Sequence, residues 1–570
     1  MLEFNLFEMY NLKEMSLSAE IFLSCSILQL TFYAISTTQQ RKHNFVLLTN
    51  QIYHVGALII GLTCLLLFNE DLLILNLFSS NNFIINDYLG FASKLVIGII
   101  SVLFLLLTTI SYEDKTVPNN FEYVILILIS VLGLLLLCSS NDLITSYLAI
   151  ELQSVAFYLM AAFKKNSAYS IESGLKYFII GALSSAFFLF GSAIIYGCVG
   201  SLNFDDFKMF FSLLSISSEN SFIVSGFSDW YSLSDELLTD TAKFSSHFTN
   251  NSFELIEKAT ILTEIFNQYK SSIVTPQTIG ISNLNLELVY IGFIFLSVSL
   301  FIKLALAPFH FWSLDVYEGS PNTTTVFFAV VPKIALFVLL LRICYSSFYY
   351  SFSSNWQSYF LLVSLTSIFV GSVGGLEQRK LKTLLAYSSI SHTGYLLLSF
   401  STNSIEGMTM MLYYIVIFMV SSLCFWSIYL FIQHKNNFYY KKHNKELGDL
   451  VLLKDSNPMI ALILTITLFS IAGIPPIVGF LAKIGIFLVV IKSSAYIIAL
   501  IGILFSVAST FYYIRIIKIL YFENVLVGKL YKPISTKKSL LISIMAILLI
   551  VLCIDPTILY FVFQKSSLLY

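Results

Sequence analysis

Five ionisable side chains occur in the middle of long apolar stretches of this 570-residue chain: Glu151, Lys303, Lys333, His392 and Lys483. A charge at the centre of a bilayer costs roughly 2.5–3.5 kcal/mol on insertion scales, so such residues usually face a cavity and mark the path of an ion or a proton. Carboxylate, amine and imidazole groups all bind and release protons. These residue types therefore indicate proton transfer through the interior of a membrane.

Two of the lysines stand beside residues that interrupt a helix. Lys303 lies five residues before Pro308 in an apolar stretch, and Lys483 follows Gly473–Pro476 inside an apolar run of 34 residues, Pro458–Ile491. As one straight helix that run would measure about 51 Å, against a hydrocarbon core of about 30 Å. Interrupted backbone is tolerated in a membrane only where protein or water in a cavity satisfies its polar groups. We therefore predict a hydrated pocket beside each of these lysines.

The composition places the chain among polytopic membrane proteins. It is 57% hydrophobic and 11% charged, whereas soluble domains average about 25% charged residues. The net charge of −1 argues against a nucleic-acid partner. The seven cysteines are scattered singly without a CxxC pair, and we find no Walker loop or dinucleotide fingerprint. We expect no metal site and no bound cofactor, and residues 1–15 resemble neither a signal peptide nor a transit peptide.

Hydropathy windows of about 19 residues predict an all-α fold that crosses the membrane many times. We place fourteen helices near Glu20–Thr37, Phe45–Phe68, Gly90–Ser111, Phe121–Cys138, Leu143–Phe163, Ile171–Val199, Leu286–Trp312, Thr323–Ile343, Trp356–Gly375, Leu381–Phe400, Gly407–Phe431, Pro458–Ile491, Ala495–Phe522 and Ser539–Phe563.

Basic residues are concentrated in the odd-numbered loops between these helices, whereas the short even-numbered loops hold almost none. Because cytoplasmic or matrix loops carry an excess of Lys and Arg, we expect the odd loops on that side and both termini on the outer side. Residues 200–285 fall in an even loop and are rich in Ser, Asn and acids. We interpret them as an outer-face insertion, because long surface loops cost little free energy.

The two interrupted helices indicate an internal repeat, with helices 4–8 as one unit and 9–13 as the other. Lys303 then pairs with Lys483, and Glu151 with His392. The predicted units are 1–112 (three N-terminal helices), 113–199 (helices 4–6), 200–285 (the outer insertion), 286–345 (helices 7–8), 346–522 (helices 9–13) and 523–570 (an inner loop and the last helix).

Four polar residues, one of them His392, also have simpler interpretations. Lys176 lies at the inner end of the sixth predicted helix, where it either joins the proton path or extends its amine to the interface. His392 is either a relay or a packed, hydrogen-bonded histidine. Glu20 and Lys94 lie near helix ends, where we expect them at the membrane interface.

Five blocks of sequence carry a family resemblance: EYVILILISVLGLLLLCSSNDLITSYLAIELQSVAFYLMAA, GLKYFIIGALSSAFFLFG, FIKLALAPFHFWSLDVYEGSP, KTLLAYSSISHTGY and FSIAGIPPIVGFLAKIGIF. Together they resemble the chain 2 family of NADH–ubiquinone oxidoreductase (respiratory complex I). The resemblance covers roughly Gly90 to Ile491. Fourteen helices match the long form of the family rather than the shortened animal form, and the composition is typical of an AT-rich mitochondrial gene.

The resemblance implies a role for each buried ionisable residue. This family is similar to proton/cation antiporter subunits with two inverted five-helix repeats. By position in the matching motifs, Glu151 is the acid paired to Lys303, Lys333 is a bridging lysine, His392 is a relay and Lys483 is the exit lysine.

The resemblance also implies a setting. The chain would be a non-redox core subunit of NADH:ubiquinone reductase in the mitochondrial inner membrane, with both termini in the intermembrane space. Its partners would be other membrane-arm and accessory subunits and membrane lipid such as cardiolipin. Redox-bearing partners would have to supply the driving force, since no cofactor is expected in this chain.

Two alternatives remain open on the sequence alone. A stand-alone monovalent cation/proton antiporter would need the same buried ions, and would exchange Na⁺ or K⁺ for protons without partners. A passive scaffold would use the buried ions only to fix packing.

Overall fold

The computed structural model describes residues 17–40, 49–68, 83–112, 121–164, 166–211, 283–349, 356–432, 446–451, 453–475, 477–523, 531 and 534–568. These residues are almost entirely helical, and their only strand-type contacts are isolated bridges such as Ile84 with Ser140. Residues 1–15, most of the predicted insertion 200–285 and much of the basic odd loops lie outside the described residues.

The helices follow one another along the chain. Labelled in chain order, with a and b for consecutive halves, they are α1 (Ser18–Gln40), α2 (Thr49–Phe68), α3 (Tyr88–Tyr112), α4 (Phe121–Ser139), α5 (Leu143–Ala161), α6 (Ala168–Val199), α7a (Asn283–Leu304), α7b (Phe311–Gly319), α8a (Asn322–Val330), α8b (Pro332–Leu341), α9 (Gln357–Leu376), α10 (Leu381–Phe400), α11 (Ile405–Phe431), α12a (Pro458–Ala472), α12b (Val478–Lys492), α13 (Tyr496–Tyr521), α14a (Thr536–Ile554) and α14b (Thr557–Leu568).

Among the described residues, eleven helical segments are long and apolar enough to span a membrane, so the chain is a multi-pass membrane protein. Each predicted apolar stretch contains one of the labelled helices, but α2, α10 and α12 are not among the eleven. The halves of α12 have 15 residues each. In α10, the run from Ser388 to Thr393 is rich in hydroxyls and contains His392, which makes that helix less apolar.

The centre of the bundle is formed by α8 and α11. The spans Asn322–Ser347 and Ile405–Phe431 each contain an 18-residue stretch that is entirely buried. A helix that is apolar on all sides is expected inside a bundle rather than at its surface. Outer helices instead expose apolar side chains on one face, such as Leu28 on α1 and Leu500 on α13, as a surface in contact with lipid tails requires.

Both predicted interruptions are present, and both begin with the same hydrogen-bonded turn. After α7a, Leu306 N–H donates to the Phe301 carbonyl (3.0 Å) and Ala305 N–H to the Ile302 carbonyl (3.1 Å), with Ala305 at φ 57°. This is a Schellman ending, which satisfies the last carbonyls of a helix internally. The helix thus ends at Leu304, four residues before Pro308.

The second interruption repeats that arrangement after α12a. Ile474 N–H donates to the Phe469 carbonyl (3.1 Å) and Gly473 N–H to the Ser470 carbonyl (3.2 Å), with Gly473 at φ 78°. At the first interruption, the Trp312 indole N–H also donates to the Ile302 carbonyl (2.8 Å). Protein groups therefore satisfy much of the interrupted backbone, as the interior of a membrane demands.

Ionic contacts between helix ends fall into two groups, in agreement with helices that run up and down in turn. At one end Glu20 pairs with Lys94, Asp87 with Arg342, and Glu406 with Lys492. At the other end the contacts are Lys176 with Glu172 and Asp315, and Lys380 with Glu318.

Candidate functional site

Helix α5 carries Glu151 at its middle. The helix begins at Asp142, whose side chain accepts a hydrogen bond from the Ile144 N–H (3.3 Å). Ser154 Oγ donates to Glu151 Oε2 (3.3 Å) as well as to the Glu151 carbonyl (3.1 Å). Glu151 Oε1 is buried and has no hydrogen-bond partner among the described residues. A carboxylate oxygen with spare acceptor capacity inside a bundle is suited to receive a proton.

Lys303 lies in the last turn of α7a, just before the first interruption. Its Nζ donates to Tyr158 Oη (3.3 Å), which α5 presents one turn beyond Ser154. A cation is stabilised there because the negative end of a helix dipole lies at its C-terminus. In the described structure no salt bridge joins Glu151 to Lys303, and each contacts a hydroxyl group of α5, Glu151 that of Ser154 and Lys303 that of Tyr158.

Lys333 is buried in α8b, directly after Pro332. Its Nζ lies 3.5 Å from the Ser389 carbonyl of α10 and 4.6 Å from the centre of the Phe418 ring of α11. A carbonyl and an aromatic face both stabilise an ammonium group without carrying a full negative charge. The amine is therefore held by groups that do not lock it in the protonated form.

His392 shares an aromatic neighbour with Lys333 and another with Lys483. Its Nδ1 is hydrogen-bonded to the Tyr414 hydroxyl, and its Nε2 lies 3.3 Å from Tyr513 Oη. Its ring centre is 4.8 Å from that of Phe418, the ring that also contacts Lys333. Both ring nitrogens therefore have hydroxyl partners, an arrangement that suits a packed histidine and a relay histidine equally.

Lys483 is buried in α12b and its side chain turns back to the interruption. Nζ donates to the Ala472 carbonyl (2.8 Å) at the end of α12a, and it lies 5.4 Å from the centre of the Tyr395 ring. Tyr395 in turn packs edge to face on His392, with ring centres 6.4 Å apart. A Cβ on Gly473 would lie 2.6 Å from Lys483 Cδ, so the glycine leaves the room that this lysine occupies.

The structure thus brings the predicted residues into two groups. Glu151 and Lys303 form one group, and Lys333, His392 and Lys483 form the other through the shared rings of Phe418 and Tyr395. The two lysines lie on opposite sides of their interruptions. Lys303 precedes the interruption of α7, whereas Lys483 follows the interruption of α12 and its side chain extends back to it.

Lys176 belongs to neither group. Its side chain is 43% exposed and pairs with Glu172 (2.9 Å) and Asp315 (2.8 Å) at the end of the bundle that also holds the Lys380–Glu318 contact. This exposed position favours the interfacial interpretation, and a role of Lys176 in the proton path stays a prediction.

Glu20 and Lys94 do not lie at an exposed interface as we expected. They pair with each other between α1 and α3, with side chains only 4% and 2% exposed. Near them, Arg342 donates to Asp87 and to the Cys138 carbonyl (2.8 Å). Hydropathy could not reveal these pairs, because the partners of each pair come from different helices.

Sequence reasoning also missed the hydroxyl groups around the buried ions. Ser154 and Tyr158 lie three and seven residues after Glu151, on one helix face, and that spacing was the available signal. Tyr414 and Tyr513 lie on other helices than His392, so no local pattern pointed to them. In the described part of the chain no cluster of three or more His, Cys, Asp or Glu side chains is suited to hold a metal ion.

The chain matches a known family and is similar to known proteins. Residues 140–228 and 256–509 match the family described as NADH:quinone oxidoreductase/Mrp antiporter, TM. The "NADH-ubiquinone oxidoreductase chain 2" of Marchantia polymorpha is 34% identical over 562 residues, which cover 97% of this chain and 98% of that protein.

Two solved structures share the fold at low sequence identity. A chain of respiratory complex I from Thermus thermophilus is 22% identical, with a TM-score of 0.65 over 95% of this chain and 98% of its own. A chain of the Mrp complex from Dietzia is 14% identical, with a TM-score of 0.68 over 96% of each chain. From its sequence relatives and its fold together, the chain belongs to the NADH:quinone oxidoreductase/Mrp antiporter membrane family.

Proposed function

We propose that this chain is a proton-translocating, antiporter-like membrane subunit of NADH:ubiquinone oxidoreductase. The observation that carries the proposal is that Lys333, His392 and Lys483 are buried, and Glu151 and Lys303 half-buried, in a helical bundle with two interrupted helices. Intramembrane ionisable residues that face a bundle interior generally belong to ion or proton paths. The likeness to the Marchantia chain 2 supports complex I as the setting.

The proton path runs through the two groups of residues in order. A proton leaves Lys303, reaches Lys333 through water, and continues by way of His392 to Lys483. The aromatic rings shared by Lys333, His392 and Lys483 keep these groups adjacent and exclude bulk water. The carboxylate of Glu151 stabilises the protonated form of Lys303, so a change in its position or protonation switches Lys303 between holding and releasing a proton.

The driving force comes from partner subunits that carry redox centres. Moving one charge against 100 mV costs about 2.3 kcal/mol, and shifting a two-state site from 1:99 to 99:1 takes about 5.5 kcal/mol. The chain acts as a non-redox core subunit and assembles with other membrane-arm and accessory subunits. Its location is the mitochondrial inner membrane, with cardiolipin as a neighbour and both termini in the intermembrane space.

The architecture that we propose has fourteen membrane helices in two inverted repeats, helices 4–8 and 9–13, within the six chain units given above. The paired Schellman endings after α7a and α12a support this repeat, since equivalent helices are then interrupted in the same way.

A stand-alone cation/proton antiporter is the second candidate, favoured by the structural likeness to the Mrp complex chain. Co-purifying chains distinguish the two, because redox-bearing subunits indicate the respiratory complex and a homo-oligomer indicates the antiporter.

The test of the main proposal is replacement of the buried ions within the assembled complex. In Lys303→Ala and Glu151→Gln we expect electron transfer to lose its coupling to proton translocation in proteoliposomes, while native gels show full assembly. Lys492→Ala is the control, because Lys492 is a lysine 66% exposed at a helix end. Normal proton translocation in both buried variants, with the complex intact, would favour the passive scaffold instead.

A further inference from the structure

We propose that the hydroxyls of Tyr158 and Ser154 form a proton-transfer bridge between Lys303 and Glu151, and that Gly181 is the positioning residue that keeps the Tyr158 hydroxyl in place. This inference deepens the proposed function and rests on it, since it names the groups that connect the acid and the amine.

The bridge is built on one face of α5. Glu151, Ser154 and Tyr158 follow one another at intervals of three and four residues, which places their side chains in a row. Ser154 Oγ lies 3.3 Å from Glu151 Oε2, and Tyr158 Oη lies 3.3 Å from Lys303 Nζ. Ser154 and Tyr158 lie four residues apart on this face, so their side chains are neighbours in the row between amine and carboxylate.

The Tyr158 phenol is held by α6. A Cβ at Gly181 would lie 1.8 Å from Tyr158 Oη and 2.4 Å from its Cζ, both far inside van der Waals contact. The neighbouring rings of Tyr177 and Phe178 pack edge to face on Tyr158, with centres 4.9 Å and 5.6 Å away. Only a residue without a side chain can stand at position 181 while the hydroxyl points to Lys303.

Both hydroxyl groups of the bridge are again protonated when the proton transfer is complete. The Lys303 ammonium gives a proton to Tyr158 Oη, the Tyr158 hydroxyl proton passes to Ser154 Oγ, and the Ser154 hydroxyl proton passes to the Glu151 carboxylate. One N–H bond breaks, one O–H bond forms on the carboxyl group, and each hydroxyl loses one O–H bond and gains another. The net result converts ammonium and carboxylate into amine and carboxylic acid, and the reverse sequence restores them. Serine and tyrosine hydroxyls serve because each is a donor and an acceptor at once.

A purely structural role for Tyr158 predicts a different outcome on removal of its hydroxyl. Phenylalanine keeps the ring and its contacts with Tyr177 and Phe178, and loses only the oxygen that faces Lys303. Packing is therefore preserved in Tyr158→Phe while the proton path is cut.

The experiment uses the complete respiratory complex in proteoliposomes, with proton uptake and NADH:quinone electron transfer measured together. In Tyr158→Phe and in Ser154→Ala we expect proton transfer between Lys303 and Glu151 to slow by on the order of 10²-fold, the usual contribution of a positioned proton-transfer group. Gly181→Ala should act in the same direction by displacing the phenol. The solvent deuterium isotope effect on proton uptake should change in Tyr158→Phe, which loss of packing alone would not produce.

Two matched controls lie on α6. Tyr196→Phe removes a hydroxyl from a tyrosine 53% exposed at the bundle surface, and Gly197→Ala adds a methyl group where no atom lies within 4 Å. Both should leave proton uptake unchanged.

The outcomes separate this inference from the proposed function. If Lys303→Ala and Glu151→Gln abolish proton uptake but Tyr158→Phe and Ser154→Ala do not, the hydroxyl bridge is wrong and the proton path stands. If all four variants pump normally, both are wrong. Should Gly181→Ala fail to assemble, Tyr158→Phe and Ser154→Ala still decide the question.

Discussion

Buried ionisable residues of this chain fall into two chemical kinds. Glu20 with Lys94 is a charge pair in which each ion neutralises the other inside protein. Lys333 and Lys483 instead contact carbonyl oxygens and aromatic rings, and neither has a salt bridge among the described residues. A paired ion is fixed in its charged form, whereas an amine held by dipoles can lose its proton at a smaller cost. The first kind suits packing, and the second suits proton transfer.

The buried pair gives a prediction about stability. Lys94→Met leaves the Glu20 carboxylate buried without its partner, so we expect a loss of about 3–5 kcal/mol, seen as less assembled complex and a lower Tm. The double variant Glu20→Leu with Lys94→Met removes both charges and should recover most of that loss. Lys492→Ala, which opens an exposed pair with Glu406, should change stability by about 0–1 kcal/mol. Proton uptake per electron should be normal in whatever complex assembles, and a selective loss of uptake would assign the pair to the proton path.

The interrupted helices explain why the lysines lie where they do. Each first half-helix ends in a turn whose N–H groups satisfy some of its last carbonyls. Side chains add further hydrogen bonds there, since the Ile302 carbonyl accepts from Trp312 as well as from the Ala305 N–H, and the Ala472 carbonyl accepts from Lys483. The interruption thus creates a local negative end inside the bundle, where an ammonium group is stabilised without a carboxylate.

Substitution of Gly473 tests this explanation. Gly473→Ala should cost roughly 1–2 kcal/mol for the left-handed backbone, and its Cβ would also displace the Lys483 side chain from the Ala472 carbonyl. We expect proton uptake to fall although electron transfer continues. Gly200→Ala is the matched control, because Gly200 has φ 84° but no atom within 4 Å of the added carbon. Equal effects of the two variants on proton uptake would mean that only backbone strain matters.

At the scale of the whole molecule, the central helices α8 and α11 are surrounded by helices that present apolar faces outward. The α8 and α11 helices bring Lys333 and Phe418 to the centre, while the ionic contacts of helix ends mark two opposite surfaces. Lys380 lies at one surface and Lys492 at the other. The distribution of basic residues predicts that the Lys380 surface faces the matrix side.

Cysteines substituted at these two positions and labelled with a thiol reagent test that orientation. In membranes whose outer face is exposed, a membrane-impermeant maleimide should label Lys492→Cys and spare Lys380→Cys, and inverted vesicles should give the opposite pattern. Both positions are well exposed, at 66% and 48%. Labelling in the reverse order would place the termini on the matrix side. The unsubstituted chain, with its seven cysteines, sets the background.

The sequence by itself determined the membrane class, the approximate positions of the apolar helices, both interruptions and the presence of five ionisable residues within apolar stretches. Each of these is a local property, because hydropathy over about 20 residues, a proline or a glycine acts on the segment that contains it. Only the tertiary structure decided which groups meet: that Tyr158 stands between Glu151 and Lys303, that Lys483 reaches back to Ala472, and that Glu20 and Lys94 pair inside the bundle. These contacts join residues of different helices, or of the two halves of one helix, and their geometry depends on how the helices pack, which no single segment encodes.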